Sequence, residues 1–183
     1  MKKIKIREAS KKEIETIVSI SDEILRWLET RNNADYFGGV DEEEVSQAML
    51  SPSKVLVAVY EEDGKQEIIG FTLLQVPNYD EIRKFQQEFA RNIVEINSLV
   101  INCYGVKPEF QGRGIAKLMM ENVKFYAFST GHRFLIGTIH PKNEGSKKTM
   151  MSISNKFRTS KPYEYHMKDG RNLVGQNFCM DLM

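Results

Sequence analysis

At 183 residues, 41% apolar and 28% charged, the chain has the length and make-up of one ordinary globular domain with a single core. Lys+Arg 26 against Asp+Glu 25 leaves a formal charge of +1, which removes any overall electrostatic case for nucleic acid or an anionic membrane. The longest apolar run, Val55 to Tyr60, is far too short to span a bilayer.

The opening MKKIKIREAS has lysines but no apolar stretch behind them, so it does not read as a secretory signal. Residues 3–8 alternate and predict a strand. Ser10 with Glu13 forms a capping-box pattern, and Ile14, Ile17, Val18, Ile24, Leu25 and Leu28 then follow at helical spacing. Asp41 with Glu44 repeats the signature before a short helix that Pro52 stops, and the acidic run complements that helix's N-terminus. Residues 54–61 and 66–76 are β-branched and flank Asp63-Gly64, which predicts a hairpin.

Residues 79–91 read as an amphipathic helix with Ile82, Phe85 and Phe89 on one side. A strand is expected over 94–106, a helix over 113–129, a strand over 133–139 and a helix over 144–157. A last hairpin, 162–168 with 172–182, turns at Asp169-Gly170. No linker or repeat interrupts the order, so one domain over 1–183 is expected. The fold class is α+β: a mixed, mostly antiparallel central sheet with helices on both faces and one parallel pair from the strand-helix-strand crossover.

The segment Val106-Lys107-Pro108-Glu109-Phe110-Gln111-Gly112-Arg113-Gly114-Ile115-Ala116 sits between a strand and a long helix. Gly112 and Gly114 permit close approach, and the first helical amides have no intrahelical partner, which suits a phosphate or pyrophosphate. A Walker A loop is absent. The dinucleotide fingerprint fails because its last glycine would be Lys117 and no acid ends the next strand. From the loop alone, a plain strand-to-helix turn stays open.

At these residues the chain resembles the GNAT superfamily of acyl-CoA-dependent N-acetyltransferases. Gln111-Gly112-Arg113-Gly114-Ile115-Ala116 matches the Gln/Arg-x-x-Gly-x-Gly/Ala motif, and Val106-Lys107-Pro108 matches the Val-x-Pro ahead of it. The resemblance implies acetyl-CoA as co-substrate and no metal. It implies that Gln111, Gly112, Arg113, Gly114, Ile115 and Ala116 hold the pyrophosphate while the Val106 backbone pairs with the pantetheine arm. Asn143 matches a position whose side chain contacts that arm; its competing role is the N-cap of the following helix.

The chain departs from the family where chemistry is concerned. Many relatives carry a tyrosine seven residues after the asparagine, where this chain has Met150, and some carry a glutamate six residues before the valine, where it has Val100. Alternation would place Val106, Tyr104, Asn102, Val100 and Ser98 on one strand face, making Tyr104 and Asn102 the candidate catalytic residues unless a bulge resets the register. Cys103 then falls on the opposite face as a core thiol, His140 reads as a turn residue, and the three histidines form no metal-ligand spacing.

The expected activity is transfer of an acetyl group from acetyl-CoA to a primary amine by direct attack in a ternary complex; the alternative is a silent acyl-CoA-binding module. The acceptor would be a small-molecule or peptide amine, with no nucleic acid and no membrane. A sheet edge near the last hairpin suits a homodimer. Two cysteines too few for a disulfide framework fit a cytoplasmic setting. The helix over 79–91 is expected to wall the amine pocket, with Asp80, Glu81 and Glu88 drawing in a cationic acceptor.

Overall fold

Exposed and half-buried residues alternate along Lys3–Glu8, so this first strand (β1) can only be the edge of a sheet with one covered face. The computed structural model describes residues 3–50, 52–89, 92–167 and 169–183. After a 3₁₀ turn, helix α1 runs over Ile14–Glu29, and α2 over Glu42–Ala48 follows a loop with a second such turn at Ala34–Tyr36. The hairpin β2 (Lys54–Glu62) and β3 (Lys65–Gln75) leads to α3 (Tyr79–Phe89) and β4 (Ser98–Val106). Helix α4 (Ile115–Ser129), β5 (Phe134–Ile139) and α5 (Glu144–Met151) come next. The chain closes with β6 (Phe157–Thr159), β7 (Tyr163–His166) and β8 (Asn172–Asp181).

The sheet order is β1-β2-β3-β4-β5-β8-β6, with β7 also against β8. Every pair is antiparallel except β4 with β5, so the expected class and its single parallel pair are both present. On one face Ile115, Met119, Met120 and Val123 of α4 and Met150 of α5 pack on Leu56, Leu99, Leu135 and Phe178. On the other, Ile17, Ile20 and Ile24 of α1 with Val45 of α2 pack on Val55, Val57, Phe71 and Leu73. Phe85 and Phe89 of α3 join Val100, Phe134 and Ile136 in a separate cluster.

Two expected elements and one strand register differ. The helix expected over 144–157 ends at Met151. Beyond it, serines bond the backbone instead: Ser154 Oγ donates to Asp181 O (3.0 Å) and accepts from Lys156 N (3.1 Å), and Phe157–Thr159 pairs with β8. The strand expected from 94 starts at Ser98, because Asn97 Oδ1 accepts from Val94 N at 2.9 Å and holds a 3₁₀ turn. The expected 79–91 helix is described to Phe89; its last two residues lie outside the described residues.

The third difference sets the site. Opposite β3, Leu73 pairs with Cys103 but Leu74 pairs with Ile101, which leaves Asn102 as a bulge. The extra residue resets the alternation. Tyr104 and Val106 share a face with Ile101 and Leu99, whereas Val100 lies on the α3 side, so the expected common face of Val106, Tyr104, Asn102, Val100 and Ser98 is not formed.

Candidate active site

Strands β4 and β5 pair only from Ser98↔Phe134 to Ile101↔Gly137 and then diverge as a fork. A Cβ on Gly137 would lie 2.7 Å from Ile101 O and 2.8 Å from Phe178 Cζ, so a glycine is required where the strands part. Lys107 N donates to Ile69 O at 2.9 Å; by antiparallel alternation, the Tyr104 and Val106 amides then face away from β3 and into the fork. A cavity of about 930 Å³ runs through this fork, from the N-terminus of α4 on one face to the α1–α2 loop on the other.

At the α4 end, Gly112 (φ +74°) and Gly114 (φ +77°) both adopt left-handed backbone, and a Cβ on either would meet nothing within 4 Å. Glycine is demanded here by conformation, not by crowding. Among the described residues, the amides from Gly112 to Lys117 find no acceptor within the chain. They form an open cradle of N–H donors at a helix N-terminus, the arrangement that binds a phosphate or pyrophosphate. Gln111 braces the turn: its Nε2 donates to Val106 O at 2.9 Å, leaving the Val106 amide as the group free to face a ligand. Arg113 is directed backwards, donating to Glu109 O at 2.8 Å with its guanidinium 5.1 Å from the Phe110 ring centroid.

Asn143 takes the N-cap role. Its Oδ1 accepts from Ser146 N at 3.0 Å, and its amide nitrogen remains free at the cavity wall. Tyr104 reaches α5, where its buried hydroxyl makes no well-aligned hydrogen bond. Burial pushes this phenol up to about 12, tempered by the nearby Ser146 and Thr149 side chains. Asn102, exposed at the bulge, also lines the cavity. Cys103, half-buried, packs against the α1 cluster and lines the cavity, and burial with the Glu44 charge pushes its thiol far up.

The far side holds His140, read from the sequence as a turn residue, and two charges whose place at the cavity the sequence did not show. His140 is buried, its Nε2 3.0 Å from Asp35 Oδ2 and its ring stacked on Tyr36 at 4.4 Å. It is a clamp between β5 and the α1–α2 loop, not a simple turn histidine. Glu44 and Lys84 also line the cavity. Two of the three acids of α3 are engaged elsewhere: Glu81 pairs with Asn78 in a capping box, and Glu88 accepts from Asn177 Nδ2 at 2.7 Å. α3 does wall the cavity, but with Lys84 rather than a carboxylate. Only chain proximity would have flagged these residues, and they lie far apart in sequence.

Among the described residues, no cluster of three His, Cys, Asp or Glu side chains could hold a metal, and no helix is long and apolar enough to cross a membrane. The sequence model of the acetyltransferase (GNAT) family matches residues 21–150. No curated protein matches the chain. Among solved structures, YncA from Salmonella typhimurium, determined with its cofactor acetyl-CoA, is similar at 18% identity and TM-score 0.67, over 98% of this chain and 94% of that one. An N-acetyltransferase from Staphylococcus aureus Mu50 is 19% identical with TM-score 0.65, covering 99% of both chains. The ribosomal-protein-S18-alanine N-acetyltransferase from Escherichia coli is 12% identical with TM-score 0.67, over 98% and 94%.

Proposed function

The chain belongs to the acetyltransferase (GNAT) family, and from that premise we propose that it moves an acetyl group from acetyl-CoA to a primary amine by direct attack in a ternary complex. The observation that carries this reading is the fork between β4 and β5, with an unpartnered amide cradle at one end and an open chamber at the other. Acetyl-CoA supplies a thioester carbon that a nitrogen nucleophile can attack. The amides from Gly112 to Ala116 fit its pyrophosphate, and two glycines without a Cβ leave the space above them clear. The Val106 amide and the free Asn143 nitrogen fit the arm between pyrophosphate and thioester.

Holding both reactants in one passage lowers the entropic part of the barrier. The Tyr104 amide, directed into the fork, donates to the oxygen on which negative charge grows. The Tyr104 hydroxyl gives its proton to the leaving sulfur as the nitrogen–carbon bond replaces the carbon–sulfur bond. It regains one of the two protons that the acceptor ammonium sheds, and the other goes to water. Asn102 at the bulge orients the acceptor. Direct attack is preferred to an acyl-enzyme because the one thiol at the cavity, Cys103, is held protonated. Two cysteines are too few for a disulfide framework, and we read the setting as cytoplasmic.

Release of CoA thiol from acetyl-CoA across a panel of primary amines tests the proposal. Repeated turnover with an acetylated amine as product supports it. Stoichiometric protection of acetyl-CoA without turnover on any amine would point to a silent binding module.

A further inference from the structure

Charged side chains around the far chamber are mostly engaged within the protein. Asp35 is held by His140 at 3.0 Å. Arg171 donates to Asp169 at 2.7 Å and to Gly38 O at 2.5 Å, fastening the β7–β8 hairpin to the α1–α2 loop. Among the described residues, the cavity-lining charges with no opposite charge within 4 Å include Glu44 from α2 and Lys84 from α3, besides Lys148 on α5 and Asp35, whose partner His140 is neutral. Glu44 Oε2 accepts from Asp41 N at 3.2 Å, which fixes the carboxylate, and its field on the Cys103 thiol locates it beside β4. Lys84 Nζ stands 4.0 Å from the centroid of the Tyr163 ring. That ring is itself pinned, its hydroxyl donating to Asn177 Oδ1 at 2.6 Å. Phe37, Tyr165 and Met167 give the chamber its apolar wall.

A chamber that presents an anion from α2 and a cation from α3 complements a molecule carrying both signs. We propose that the acceptor is an amino acid-like small molecule, its ammonium received on the Glu44 side beside β4 and its carboxylate received by Lys84. This rests on the acetyl-transfer reading for which end reacts. A simple alkylamine satisfies Glu44 and leaves Lys84 unpaired. A diamine brings a second cation against Lys84, so the same lysine that binds the carboxylate rejects polycations.

The test uses ω-amino acids of increasing chain length, each paired with the alkylamine of equal length. Calorimetric titration into the CoA-saturated protein measures binding without requiring turnover. The best-fitting amino acid should bind at least tenfold tighter than its alkylamine. Lys84→Met should weaken that amino acid at least tenfold and leave the alkylamine unchanged, and Lys84→Glu should reverse the preference in favour of a diamine. Glu44→Gln, which keeps the capping acceptor, should weaken both members of the pair. Equal affinities within each pair, equal losses on Lys84→Met, or no amino acid binding would overturn the assignment. Thiol release on the same panel separates the two readings. Binding with this charge pattern but no acetylation removes the transferase reading alone, while acetylation indifferent to the carboxylate and to Lys84 removes the charge pairing alone.

Discussion

His140 and Asp35, more than one hundred positions apart, join the end of β5 to the α1–α2 loop through a 3.0 Å contact from Nε2 to a carboxylate oxygen. The other ring nitrogen, Nδ1, accepts from the Lys142 amide at 3.1 Å, so the ring is neutral with its proton on Nε2. A second proton would cost the Lys142 bond. Burial lowers the His140 pKa most, Lys142 and Lys147 add to the lowering, and the Asp35 charge opposes it.

The sign of the pH dependence follows. A histidine whose folded-state pKa is depressed stabilises the fold fully above its unfolded value of about 6.5, and that contribution is lost as pH falls below it. Thermal melts of the native protein should therefore drop more steeply below about pH 6.5 than those of His140→Gln. Parallel pH profiles for the two proteins would show that the clamp does not titrate.

Replacing Gly114 by valine should disable the cradle without unfolding the domain. A left-handed non-glycine residue costs roughly 1–2 kcal/mol, yet the new Cβ meets no atom within 4 Å, so the turn can relax locally. Affinity for acetyl-CoA should fall at least tenfold, about 1.4 kcal/mol. Calorimetric titration of the folded variant checks this, and unchanged affinity would count against the cradle.

Tyr104→Phe should separate stability from activity. The hydroxyl is buried without a well-aligned hydrogen bond, so its removal should leave the protein as stable or stabilise it by up to about 1–3 kcal/mol. Turnover should fall with little change in the Michaelis constant for acetyl-CoA. Because the phenol is raised to about 12, the native protein keeps this proton across the working range, and its stabilising effect is lost only as pH climbs past about 10. Urea unfolding and steady-state rates on the two proteins decide the matter; equal rates would make Tyr104 a packing residue.

Away from the site, Arg133 Nε and Nη2 grip Asp181 at 2.9 and 2.8 Å, with the carboxylate almost fully buried. Arg133→Met strands that carboxylate. Because the arginine side chain is 42% exposed, solvent screens the pair and the loss of stability should sit below that of a fully buried one. Denaturant titration measures it, and acetyl-CoA affinity should stay constant.

The pattern of success in the sequence reading has a physical basis. The 111–116 turn was legible because its constraints are local: two glycines needed for left-handed backbone and a helix start just behind them. Both capping boxes were legible for the same reason. The bulge at Asn102 was not, since it arises from the match between β4 and β3, and no residue near Asn102 signals it. It moved Val100 to the other face and thereby changed which side chains accompany Tyr104. Glu44 was read correctly as a helix-capping acid, but its second position at the cavity depends on loops that only the folded chain brings together. α5 was read too long because Ser152 and Ser154 can continue a helical pattern on paper, while Ser152 Oγ donates back to Thr149 O in the last turn and Ser154 Oγ donates to Asp181 O outside the helix.

The parallel pairing of β4 with β5 has an electrostatic consequence. Parallel strands leave a sheet at the same edge, so the helices that follow them, α4 and α5, both begin there. Their positive dipole ends converge on one opening, and the attraction for an anion is built from backbone groups in a chain of almost balanced charge. Fixed amides at contact distance are shielded by dissolved ions far less than a field of flexible surface lysines. An antiparallel β5 would have sent the second helix to the opposite edge and left α4 alone at that opening.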